Sequence, residues 1–91
     1  MFSAKDVEVL TRTIWGEARG ESEEGMLAVG HVVINRVIRG GWWGDTVEEV
    51  CQQPFQFSCW NENDPNRSKL IALNILSPDA GEALWSALTV L

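Results

Sequence analysis

Basic residues are scarce, with seven Lys and Arg against thirteen Asp and Glu, which leaves a net charge of −6 over 91 residues and a pI near 4.5. Nucleic-acid binding needs clustered Lys and Arg, so that class is excluded. There is one histidine, His31, and a lone helical histidine without a Cys or Asp cluster does not make a metal site. The two cysteines, Cys51 and Cys59, could close a short loop, but they fit neither a paired zinc-ligand spacing nor a disulfide-dense scaffold, and unpaired packing residues are the plainer reading. No apolar run approaches the roughly 18 residues that a transmembrane helix needs. The opening residues lack the charged, apolar and small-residue regions of a secretory signal, so export would depend on something else.

What is present is a helical pattern. Ser3 with Asp6 is a capping-box signature, and Val7, Leu10, Ile14 and Ala18 share a face, so a first helix runs from about Ala4 to Ala18 with Gly20 as terminator. Ser22, Glu23 and Glu24 open a second helix with a stripe of Met26, Val29 or Gly30, Val33 and Val37. Gly30 on that stripe would let another backbone approach. Residues 39–45 read as a glycine-rich loop, and Thr46 with Glu49 caps a short helix through Cys51. The alternating aromatics of residues 52–66 predict an extended stretch or hairpin, with Phe55 in the core. Two helices complete the pattern, Arg67–Leu76 and Pro78–Leu91, the latter capped by Ser77.

The chemistry concentrates in TIWGEARGE, residues 13–21. Glu17 falls in the last turn of the first helix, where the negative end of the helix dipole disfavours a carboxylate, and burial against Trp15 would favour the protonated form further. A carboxyl held protonated near neutral pH is what a glycosidase requires of its general acid. The same residues also suit a plain solvated helix face.

WGEARGE, followed by GMLAVGHVVINRV and then FQFSCW, resembles the cell wall hydrolase family of the spore cortex lytic enzymes, in which a GEARGE-type motif precedes an apolar helix ending in an NRV-type triplet. The likeness spans about residues 8–60. It implies a mainly α, lysozyme- or lytic-transglycosylase-like domain with a small β-hairpin beside a cleft, and a catalytic acid at Glu17. It also implies peptidoglycan glycan strands as partner, no cofactor or metal, and action at the bacterial wall or periplasm, with a phage origin open. Glu21 is then a substrate contact, a group that tunes Glu17, or a solvent-facing helix-start residue, and Arg19 an ion-pair partner of Glu21 or Glu23. Phe57, Ser58 and Trp60 form the downstream motif on the cleft wall. Trp42 and Trp43 would be a glycan platform or a hydrophobic lid, with Trp43 in the substrate-binding set.

The resemblance leads us to expect one catalytic domain over residues 1–91, or its N-terminal portion with a further polypeptide completing the cleft. It leaves two rivals. A zinc-dependent amidase would need two or three ligands around an open metal position, and only His31 is present. A wall-binding or phage structural module would keep the fold without the activity.

Overall fold

The computed structural model describes residues 2–54 and 56–91, so the expectation for Phe55 lies outside the described residues. Five α-helices follow in order: α1 (Ala4–Ala18), α2 (Glu23–Arg39), α3 (Val47–Gln52), α4 (Pro65–Ala72) and α5 (Gly81–Val90). Short 3-10 turns at Gly41–Trp43, Ser58–Trp60 and Pro78–Ala80 lie between them. The capping residues explain the starts. Ser3 and Asp6 exchange side-chain-to-backbone bonds of 3.1 Å each, the Ser22 hydroxyl accepts from the Gly25 N–H, and the Thr46 hydroxyl accepts from the Glu49 N–H. Each satisfies an amide that the first helical turn leaves unpaired.

α1 is the centre of the assembly and packs against the other four helices and the Ser58–Trp60 turn. Its Leu10, Ile14 and Ala18 are buried with Met26 and Val33 of α2, Val47 and Val50 of α3, Leu70 of α4, and Ala83 and Ala87 of α5. Gly30 serves a close approach, as expected, but what meets it is side chain. A Cβ there would stand 3.0 Å from Val90 and 3.5 Å from Ile14.

The hairpin is a correction. Among the described residues there is no strand, and the stretch predicted to be extended is a succession of tight turns. Gln56, Trp60, Asn61, Asp64 and Arg67 each donate their N–H to the carbonyl three residues before. Those local bonds, together with the cap that Asp64 makes on the Asn66 N–H and with Pro65 in the first turn, start α4 two residues before the predicted Arg67. The predicted helix from Pro78 is a 3-10 turn followed by α5, and the Ser77 side chain makes no capping bond.

Arg12 ties α1 to α4. Its Nη1 donates to the carbonyls of Leu70 at 2.5 Å, Ile71 at 3.2 Å and Leu73 at 2.6 Å, placing a cation on the negative end of α4. Its Nε meets Glu8 at 3.3 Å. Hydrogen bonds from a charged group to partly buried acceptors are worth about 1.5–3 kcal/mol. Arg12→Met should therefore lower the unfolding free energy by about 2–3 kcal/mol, measured by urea denaturation. A loss below half a kcal/mol would show that water replaces the guanidinium on those carbonyls.

Candidate active site

Glu17 is the penultimate residue of α1. The helix ends there because Gly20, at φ 88°, turns the chain away, and the Arg19 N–H closes on the Trp15 carbonyl. Glu17 is exposed, so the burial against Trp15 expected from the sequence is absent. Trp15 is covered instead by Arg19, whose guanidinium carbon stands 4.1 Å from the ring centroid. Arg19 also donates to Asn66 Oδ1 at 2.5 Å. Among the described residues it forms no ion pair with Glu21 or Glu23, contrary to expectation.

The Glu17 carboxylate is held from 42 residues away, where the backbone N–H of Cys59 donates to Oε2 at 3.2 Å. Gly16 makes that approach possible. A Cβ at position 16 would lie 2.9 Å from both Cβ and Sγ of Cys59 and 3.0 Å from a Leu70 methyl, closer than side-chain atoms can come. The turn is fastened at both ends. Trp60 Nε1 donates to the Thr13 hydroxyl at 2.9 Å, and Arg67 Nε donates to the Trp60 carbonyl at 3.1 Å. Thr13 and Glu17 are four residues apart on α1, so Trp60 and Cys59 grip the same face of the helix. Thr13 is fully buried and its own hydroxyl donates to the Val9 carbonyl at 2.8 Å.

The neighbouring thiols are buried and held towards their protonated form. Burial pushes the Cys59 thiol well up, and the hydrogen bond and charge of Glu17 push it further. Burial raises the Cys51 thiol to about 12 against the lowering effect of its hydrogen bond with Thr13. A protonated thiol neither attacks nor binds a metal well. Both cysteines are unpaired, and among the described residues no group of three or more His, Cys, Asp or Glu could hold a metal.

The other predicted site residues divide into two groups. Ser58 is exposed in the turn beside Cys59, and Trp60 is half-buried. Trp60 shares a groove of about 470 Å³ with Gln52, Gln53, Pro54, Asn61, Glu62 and Asn63, and Glu17 is not among its lining residues. Glu21 is exposed in the turn before α2, its side chain folded over Gly25. Phe57 is buried, with 7% of its surface accessible, and its ring faces Arg36 at 5.3 Å. The Trp43 ring also lies against that guanidinium, at 4.4 Å from Arg36, and meets Trp42 edge-on at 4.8 Å. Trp43 lines a separate groove, not the one beside Trp60. Thr13, Gly16 and Arg36 escaped the sequence reading. The signals were available: a threonine four residues before the glutamate, a glycine inside a helix, and the arginine of the NRV triplet.

Sequence comparison returns one family for this helical chain. The profile of the cell wall hydrolase family matches residues 20–88, and the chain belongs to that family. Its relatives include the spore cortex-lytic enzyme of Oceanobacillus iheyensis, 35% identical over 92 residues, which covers 92% of this chain and 33% of that protein. The spore cortex-lytic enzyme of Halalkalibacterium halodurans is 30% identical over 92 residues, covering 92% of this chain and 28% of that protein. For that of Bacillus subtilis the values are 35% over 57 residues, 63% and 18%. The chain thus spans about a third or less of the length of these relatives. The profile match begins just after Glu17. No solved structure matches significantly, so the lysozyme-like architecture gains no support beside the missing hairpin.

Proposed function

We propose that this chain cleaves the β-1,4 bond between N-acetylmuramic acid and N-acetylglucosamine in peptidoglycan, with Glu17 as its single acid and base. The observation that carries the reading is the bond from the Cys59 N–H to Glu17 Oε2. It fixes one oxygen of an exposed carboxyl and leaves the other, Oε1, to deliver the proton to the glycosidic oxygen. As that proton transfers, the C1–O bond breaks and positive charge develops at the muramic C1. The carboxylate then takes the proton of the sugar's own 6-hydroxyl as that oxygen attacks C1. The product is a 1,6-anhydro ring, Glu17 is protonated again, and no water is consumed.

A single-glutamate mechanism is supported by what the other acids do. Asp64 is occupied with the cap of α4, and Asp45 lies against Gly40. Glu62 borders the Trp60 groove and, of these three loop acids, is the one left as a second carboxylate of a hydrolase, which would have to stand within about 5–9.5 Å of Glu17. Glu17 stands on open surface, and an extended glycan strand, with further polypeptide closing over it, suits that exposure.

Mass spectrometry of muropeptides released from purified wall tests this reading. Anhydro-muramic ends are expected, at undiminished yield in a chelator. Products one water heavier would assign a hydrolase and make Glu62 the next residue to substitute. Release of free stem peptides, abolished by chelation and restored by zinc, would indicate amidase chemistry. No release would leave a wall-binding module.

A further inference from the structure

Arg36 and Arg39 lie one turn apart at the C-terminal end of α2. With Asn35 they form the polar lining of a groove of about 590 Å³ whose apolar lining is Val32, Ile38 and Trp43. No carboxylate lines it, in a chain of net charge −6. The other arginines have internal partners: Arg12 on the α4 carbonyls, Arg19 on Asn66 and Arg67 on the Trp60 carbonyl. Among the described residues the Arg36 and Arg39 side chains have neither hydrogen bond nor ion pair. Arg36 is the more telling of the two. Its guanidinium carbon stands 4.4 Å from the Trp43 ring centroid and 5.3 Å from that of Phe57, and its Nη1 is shut off from water without a partner. A buried charged donor left unpaired is costly, and because Nη1 itself is closed off, an anion in the groove would offset that cost through the charge of the rest of the Arg36 guanidinium and of Arg39, which line it.

We infer that this groove is a carboxylate-binding subsite, taking a carboxylate carried on an apolar body. The planar guanidinium fork suits a carboxylate, and Trp43 with Ile38 offers the apolar surface beside it. Resting on the peptidoglycan reading, the inference assigns the groove to the acidic part of the polymer: the lactyl carboxylate of muramic acid or a carboxylate of its peptide. The groove is linked to Glu17 through one short segment, by way of Arg36 and the buried Phe57. Phe57, against Arg36, is two residues from Cys59, a separation of at most about 7 Å along the backbone, and Cys59 donates to Glu17.

The test is an NMR titration of the 91-residue chain carrying Glu17→Gln, which binds without turnover. The probes are N-acetylmuramic acid, N-acetyl-L-alanyl-D-glutamate, the methyl esters of both, and chitobiose. Shifts confined to residues 32–43 with an acid, and not with its ester or chitobiose, are expected. The acid that produces them identifies the source. Arg39→Gln, at an exposed position, should weaken that binding by about tenfold or more, the loss expected for one charge-assisted bond. Arg36→Lys, which keeps the charge but loses the planar fork, should weaken it similarly. Equal binding of acid and ester, unchanged affinity in Arg39→Gln, or no shift with either acid up to its solubility would overturn the inference. Wall cleavage is measured separately on the unsubstituted chain. Cleavage without carboxylate binding removes this inference alone, whereas binding without cleavage removes the catalytic reading and leaves the groove.

Discussion

Glu17→Gln should fold like the parent and lose wall-cleaving activity by about a thousandfold or more. General acid catalysis contributes on the order of 10²–10⁴ to rate, and the amide cannot deliver a proton to the glycosidic oxygen. Folding should survive because the Gln carbonyl can accept from the Cys59 N–H in place of Oε2, and because the side chain is exposed. Glu21→Gln should cost far less, since Glu21 lies in the turn before α2 with its side chain over Gly25. Both variants are compared by muropeptide release and thermal midpoint. Full activity in Glu17→Gln with a dead Glu21→Gln would reverse the assignment. A large drop in the midpoint of Glu17→Gln would make the Cys59 contact structural.

The second large effect is expected at Gly16, through packing. A methyl group at this position would overlap Cβ and Sγ of Cys59 at 2.9 Å and press on Leu70 at 3.0 Å. Cys59 and Leu70 are buried, and neither contact is the loose end of a long side chain. Overpacking a core costs about 1–3 kcal/mol, which the helix preference of alanine over glycine, about 1 kcal/mol, only partly offsets. Gly16→Ala should therefore lower the thermal midpoint by several degrees, given about 4–8 °C per kcal/mol for a domain of this size. It should also move the Cys59 amide away from Glu17, so that activity falls even at temperatures where the variant is folded. Calorimetry and muropeptide release on one preparation check both. An unchanged midpoint would mean that the Ser58–Trp60 turn shifts without strain.

Legibility from sequence followed the range of the interactions. The starts of α1, α2 and α3 are set by residues three apart, Ser3 and Asp6, Ser22 and Gly25, Thr46 and Glu49, and such bonds can be read in a short window. The family was legible too, because its motifs are local words. The stretch before α4 was misread because alternating aromatics suggest a strand, whereas a strand needs a partner strand and there is none among the described residues. With no ladder available, its amides close locally on carbonyls three residues back. The environment of Glu17 was hidden for the opposite reason. Its contact is 42 residues distant, and nothing near position 17 announces that Arg19, and not Glu17, will cover Trp15.

That 42-residue separation also bears on timing. A chain that emerges N-terminus first exposes α1, complete with its glutamate, well before the Ser58–Trp60 turn exists to meet it. Until the loop between them closes, a step whose entropic cost grows with its length, Glu17 is an ordinary carboxyl on a fraying helix end. The Thr13 to Trp60 bond and the Cys59 to Glu17 bond form in that same closure. On the proposed reading the acid is positioned by folding itself, and a nascent or locally unravelled chain is expected to leave the wall uncut without any separate inhibitor.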